Sequence, residues 1–202
     1  FHLSDEHLDK RVSSIYKYFD HIWRTYCSPS YVINKKVTCI PPGYKSGFDQ
    51  EVNINEQRKF KWSFFGTLHK SSRHDMNFQL KTIKSNFTNV TEKFADENKS
   101  MNAEEMKKIL LNSNFAPCPA GFYHPDSYRI YEALQCGTIP IVESIYNYFD
   151  HSYLSNPLIK IAKWSEAKEI IDKWSFEKIL SKRKECLNWW HKYKTGHRNF
   201  IF

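Results

Sequence analysis

Ser127, Arg129 and Glu132 are three residues of complementary chemistry within six positions. The serine hydroxyl can donate to a phosphate oxygen, the guanidinium fork matches two of them, and a carboxylate one turn past Tyr128 can accept from sugar hydroxyls. They follow a loop containing Pro119, Gly121, Tyr123 and His124, and they precede Gly137 and Pro140. A second set lies upstream, where Gly66 lets backbone approach a ligand closely and Arg73 falls in the first turn of the next helix. Each residue also has a plainer reading. Arg129 can pair with Glu132 three residues on, Arg73 can be an ordinary first-turn cation, and Tyr123 and His124 can simply pack in their loop.

These residues need a scaffold, and residues 115–142 supply its local pattern. A short apolar run, 115–118, is broken by Pro119 and Gly121. Asp126 or Ser127 then caps a helix with Ile130, Ala133 and Leu134 on one face, stopped at Gly137, and a second apolar run covers 138–142. Two strands joined by one helix form a βαβ unit with parallel strands, so a helix N-terminus sits at the carboxyl end of a strand, where anions bind. Residues 60–83 repeat the pattern: an aromatic strand, Gly66, then a helix opened by Ser71 or Ser72 with Met76, Leu80 and Ile83 as its stripe. Further strands are expected at 87–94 and 158–161. Helices are expected after a capping box at Asn102 and Glu105, after Ser165, and from Ser175 to near Gly196. Alternating strands and helices make the class α/β with largely parallel sheets.

The stretch with Pro119, Gly121, Ser127, Arg129, Glu132, Gly137 and Pro140 resembles the donor-binding segment of exostosin-type glycosyltransferases. Near the start, His2, Ser4, Asp5 and Glu6, then Arg24 and Tyr26, then Pro41 or Pro42 with Gly43 and Tyr44, are similar to segments of the ribitol xylosyltransferase group. The periodicity of Leu8, Val12, Ile15, Tyr16 and Phe19 could run on through Ile22 and Tyr26 as one long helix. The resemblance instead places strands at 21–25 and 37–40. It implies a GT-B fold of two Rossmann-like halves, the first incomplete here: residues 1–45 ending the acceptor-side half, 46–59 a linker, 60–174 the nucleotide-sugar half, and 175–202 a helix crossing back. It further implies transfer of a sugar, xylose favoured, from a UDP-sugar to a glycan hydroxyl with inversion. Gly66, Arg73, Tyr123, His124, Ser127, Arg129 and Glu132 would hold the donor, Asp5 or Glu6 would act as base, and Arg24 would neutralise the leaving diphosphate. Asp5 could equally be a helix N-cap, and Arg24 could merely order its strand edge.

Composition sets the outer limits. The 202 residues carry a formal charge of +8 and 16% aromatics. The lysines are dispersed without a nucleic-acid-binding signature, so a solvated basic surface or a basic binding module for polyanions or glycans are the readings of that charge. The absence of an Asp-x-Asp pair and of a His/Cys cluster leads us to expect neither metal nor cofactor, and no Walker or GxGxxG run points to ATPases or dehydrogenases. No run is apolar enough to cross a bilayer. Cys27, Cys39, Cys118, Cys136 and Cys186 read mostly as small buried hydrophobes in a reducing compartment, which favours the cytoplasm. Acceptor sequences for N-glycosylation at Asn86, Asn89 and Asn98 keep the Golgi lumen open. The chain starts Phe-His-Leu without an initiator Met, and we read it as one whose beginning is missing.

Overall fold

The computed structural model describes residues 1–3, 6–7, 13–32, 35–49, 52–69, 71–93, 99–121 and 123–201. A 3-10 turn, Ser13–Tyr18, leads to strand β1 (Ile22–Arg24), helix α1 (Pro29–Val32) and strand β2 (Val37–Cys39). β1 and β2 pair in parallel, and His2 forms a parallel bridge to Arg24 on the other side. One long helix does not form, because Ile22 and Arg24 alternate into the interior as strand residues while Trp23 faces outward. Leu8 and Val12 of the expected helix lie outside the described residues.

The larger sheet contains β3 (Phe60–Gly66), β4 (Asn86–Val90), β5 (Ser113–Cys118), β6 (Ile139–Glu143) and β7 (Ile159–Ile161), all parallel, in the order β4-β3-β5-β6-β7. Its helices are α2 (Arg73–Leu80), α3 (Ala103–Leu111), α4 (Tyr128–Gln135), α5 (Tyr148–Ser152), α6 (Trp164–Lys173) and α7 (Phe176–Ile201). Because the crossovers leave β3 in opposite directions, right-handedness puts α2 against α6 on one face and α4 against α7 on the other. The central strands β5 and β6 are buried on both faces and read as continuous apolar runs. Edge strand β4 is half exposed, which accounts for its Thr and Asn content.

Local signals mostly act as their chemistry requires. Asn102 and Glu105 form both bonds of a capping box, at 2.9 Å each. Ser165 lies inside the first turn of α6 instead of capping it. Gly196 does not end α7, which runs on to Ile201; a lone glycine costs a helix only about 1 kcal/mol and no second breaker follows it.

Two tertiary features correct the sequence reading. Cys27 and Cys39 are joined as a disulfide, with Cα atoms 6.0 Å apart, because their strand ends lie side by side in the small sheet. Cys118, Cys136 and Cys186 remain buried thiols, so the case for a reducing compartment loses two of its five residues. Described residues of the irregular stretch on either side of 50 and 51 are fastened to the larger sheet: Phe48 is fully buried, and Arg58 donates to Leu110 O (3.1 Å), Ser113 O (2.8 Å), Thr138 Oγ1 (2.9 Å) and Cys136 O (2.8 Å). Gly137, at φ +61°, closes α4 beneath this strap, where a Cβ would come within 2.9 Å of Val52.

The far end of the sheet has its own buried polar centre. The Asp126 carboxylate accepts hydrogen bonds from Tyr131 (2.7 Å), Tyr153 (2.5 Å) and Tyr148 (3.2 Å), tying the 119–127 loop to α4 and α5. Burial drives its pKa from 3.8 to about 6, against the opposing pull of the three hydroxyls.

Replacing Arg58 with alanine removes a donor from three carbonyls and a hydroxyl, of which Leu110 O keeps the Thr138 hydroxyl and the Asn112 amide, and should destabilise the chain by about 3 kcal/mol, read from urea midpoints. Asp126 binds its proton more tightly when folded, so its contribution to stability falls as pH rises from about 4 through 6, by about 3 kcal/mol in all. Measured against Asp126→Asn from pH 4 to 7, the natural chain should lose that stability relative to the variant. Parallel curves would show that Asp126 does not titrate in this range.

Candidate active site

The chain leaves β3 toward its outer neighbour β4 and leaves β5 toward β6, so strand order reverses between β3 and β5. Open parallel sheets hold ligands at that switch point, outside the carboxyl ends of the strands. Gly66 ends β3 there and Cys118 ends β5.

Arg73 opens α2 and Arg129 lies in the first turn of α4, so both guanidinium groups converge on this point. Arg73 donates to Thr67 O at 3.1 Å and rests over the Phe64 ring, while its Nε is buried with no hydrogen-bond partner among the described residues. Burial lowers its pKa, and the Arg129 charge adds to the effect. Arg129 stacks 5.1 Å from the Phe65 ring centre and forms the ion pair with Glu132; the arginine side chain keeps 24% exposure and the glutamate 4%. Cys118 stands under both arginines. Burial nevertheless pushes its thiol up to about 12, which leaves it inert.

Gly66 has φ +139°, a backbone conformation that strains any L side chain, while a Cβ there would meet Arg73 Nη1 at an ordinary 3.5 Å, so the backbone and not the space calls for glycine. Ser127 is the N-cap of α4 in extended backbone, and its hydroxyl makes no capping bond. Across the loop, Ala120 N donates to Glu143 Oε2 (3.1 Å) and Ser71 Oγ donates to Ala120 O (2.9 Å). Glu6 reaches the same loop from the small-sheet side. A Cβ on residue 121 would lie 2.8 Å from Glu6 Oε1, so the glycine makes room for the carboxylate. Asp5 lies outside the described residues.

Two residues expected to contact the donor, His124 and Tyr123, and Arg24, expected to neutralise the diphosphate, make the following contacts. His124 is 3% exposed, with Nδ1 accepting from Asp126 N and Nε2 therefore donating to Cys27 O at 3.1 Å. Its ring lies edge-on to Tyr26 and Tyr148, and burial lowers its pKa. It joins the loop to the small sheet. Tyr123 is exposed and packs on the His7 ring, 4.3 Å away. Arg24 has no accessible surface: its guanidinium contacts His2, donates to Tyr16 OH (2.6 Å) and stacks on Tyr31. It orders the small sheet from within, because a cation on a strand between β2 and the His2 bridge finds its partners there.

The nearby residues to which sequence reading gave no role are Glu143, Tyr26 and Tyr128. A carboxylate ending the apolar strand β6 was the available signal for Glu143. Tyr26 is more informative structurally, with φ +54° on a bulky side chain, a conformation costing about 1 to 3 kcal/mol that persists where packing over-determines it. Its hydroxyl pairs with Tyr128, the first residue of α4, and Glu6 lies close enough to act on it electrostatically.

The fold is α/β of GT-B type. It aligns with the crystal structure of an alpha1,3-fucosyltransferase at a TM-score of 0.54 and 14% identity, covering 85% of this chain and 60% of that one. In sequence, the chain is 24% identical over 163 residues to ribitol-5-phosphate xylosyltransferase 1 of Mus musculus and 25% identical over 163 residues to that of Homo sapiens. Each alignment takes in 70% of this chain but only 36% and 37% of the relatives, so the chain spans little more than a third of their length. The Danio rerio protein of the same name is 29% identical over 96 residues, 46% of this chain and 22% of its own. Residues 43–201 match the family described as the RXYLT1 C-terminal domain, and the chain belongs to that family.

Proposed function

We propose that this chain is the donor-binding part of a glycosyltransferase, moving a sugar from a UDP-type donor to a glycan hydroxyl with inversion and without a metal ion. The observation that carries the reading is the pairing of Arg73 and Arg129 at the switch point. Two guanidinium groups so close in partly buried surroundings repel each other, and a diphosphate between them would satisfy both, including the unpartnered Nε of Arg73. Ser127 and the first-turn amides of α4 add donors to the same anion, and Glu132 accepts from ribose hydroxyls. Xylose is the favoured sugar because the relatives are named xylosyltransferases.

In this reading residues 1–45 belong to the acceptor side, 60–174 hold the donor, and α7 returns to the first part through the Tyr193 hydroxyl, which donates to Cys39 O at 3.3 Å. Glu6, or Asp5 beside it, takes the proton of the acceptor hydroxyl as its oxygen attacks the anomeric carbon. The bond from that carbon to the phosphate oxygen breaks, and UDP leaves with the electron pair, its charge held by the arginines. The Cys27–Cys39 disulfide supports an oxidising lumen as the working compartment in place of the cytoplasm.

Calorimetric titration with UDP should give a micromolar Kd, weakened about 10- to 100-fold by Arg129→Ala. RNA binding with a steep salt dependence and no response to UDP would make the chain a polyanion-binding module instead. In a transfer assay, Glu6→Gln should lower kcat about 100-fold or more with little change in donor KM. EDTA should leave the rate unchanged; loss of activity restored by manganese would overturn the metal-free mechanism.

A further inference from the structure

Two of the three acceptor sequences for N-linked glycosylation fall on one strand. Asn86-Phe87-Thr88 and Asn89-Val90-Thr91 run along β4 and one residue past it, while Asn98 lies outside the described residues. β4 is an edge. It pairs with β3 in an unbroken one-to-one register of five residues, and among the described residues no strand pairs on its other side. An unpaired edge offers its backbone groups to another chain, and natural sheets blunt it with charge, proline or a bulge. β4 has none of the three, and its Val90 is 43% exposed. Phenylalanine, threonine and valine favour strands, so the side chains of this uncharged edge invite pairing and do nothing to prevent it.

The two asparagines are placed differently. Asn86 donates from Nδ2 to Ile83 O at 2.6 Å in part-buried surroundings, closing the turn after α2 in which Ser85 has φ +61°. Asn89 donates to Lys99 O at 3.2 Å in a bond open to solvent, and its strand neighbours Thr88 and Val90 are both exposed. An amide nitrogen carries two hydrogens, so Asn89 can give one up to a substituent and keep the bond to Lys99 O with the other. Thr91 is buried in the fold, which leaves its hydroxyl open to a modifying enzyme before β4 is laid down.

We propose that Asn89 carries an N-linked glycan that shields the free edge of β4. The Nδ2 nitrogen attacks the anomeric carbon of a diphosphate-linked oligosaccharide. A carbon–nitrogen bond forms, the bond from that carbon to the phosphate oxygen breaks, the diphosphate leaves with the electron pair, and the amide proton passes to a base of the transferring enzyme. The modification rests on the oxidising-lumen reading drawn above from the Cys27–Cys39 disulfide.

The test uses the chain secreted from eukaryotic cells behind a cleavable signal. Peptide N-glycosidase in heavy-oxygen water converts a glycosylated asparagine to labelled aspartate, which mass spectrometry of the peptides locates. Asn89 should carry the label, and Asn89→Gln and Thr91→Val, the second leaving the asparagine in place, should each lose it. On heating, both variants should begin to scatter light at a lower temperature than the glycosylated chain. Val90→Lys, which puts a charge on the exposed edge, should reverse that shift in the Asn89→Gln chain. An unmodified Asn89, or label only at Asn86 or Asn98, overturns the site. A scattering temperature unchanged in both variants, or not restored by Val90→Lys, overturns the shielding. Thiol titration of the denatured chain separates the site from the compartment: an unmodified Asn89 with three reactive thiols removes the site alone, and with five it removes the disulfide and the lumenal reading as well.

Discussion

One guanidinium gathers the amino edge of the larger sheet. Arg58 bonds the end of α3, the start of β5, the end of α4 and the residue before β6, four places that a βαβ succession brings together but cannot itself connect. Helix ends leave carbonyls without partners, and buried carbonyls without partners are costly. By collecting them from a strap outside the sheet, Arg58 ties together the starts of β5 and β6. Arg183 of α7 continues the arrangement, donating to Gly137 O and Glu56 O and locking strap and last helix onto the same corner. With the amino edge so constrained, the register of β5 and β6 is set, and the side chains leaving their carboxyl ends have little freedom of placement.

The carboxyl edge follows a different electrostatic logic. Arg73 and Arg129 are brought together there, with carboxylates at three distances: Glu132 in direct contact with Arg129, Glu143 bonded to the Ala120 amide, and Glu6 arriving from the other sheet. Each carboxylate has a neighbour other than the space between the guanidinium groups. The basic field is therefore tempered at its margins and left open at its centre, which suits reversible capture and release of a charged ligand better than a fully compensated network would.

Residues 115–142 were readable because their signals are local. Proline and glycine break the strand, i, i+3 and i+4 apolar positions make the helix stripe, and glycine supplies the left-handed stop; all act within a few residues of one another. The positions of Arg129, Ser127 and Gly66 at helix and strand ends follow from the same patterns. What stayed hidden depends on partners distant in sequence. The disulfide requires β1 and β2 to be neighbours, the inward turn of Arg24 requires His2, Tyr16 and Tyr31 around it, and His124 faces the small sheet because the Cys27 carbonyl waits there. Phe48 and Arg58 sit in a polar stretch whose composition reads as linker, yet they find buried surface and orphan carbonyls some fifty to eighty residues further on. Composition describes a segment's average, and a strap is held by its exceptions.

The disulfide has a mechanical meaning beyond its redox chemistry. Cys27 offers its carbonyl to His124 of the loop before α4, and Cys39 offers its carbonyl to Tyr193 of α7. One attachment comes from a loop and the other from the last helix, yet both end on the same covalent link. The bridge therefore gathers both attachments at one place on the small sheet, so that a single covalent link holds the two carbonyls in fixed relation to each other.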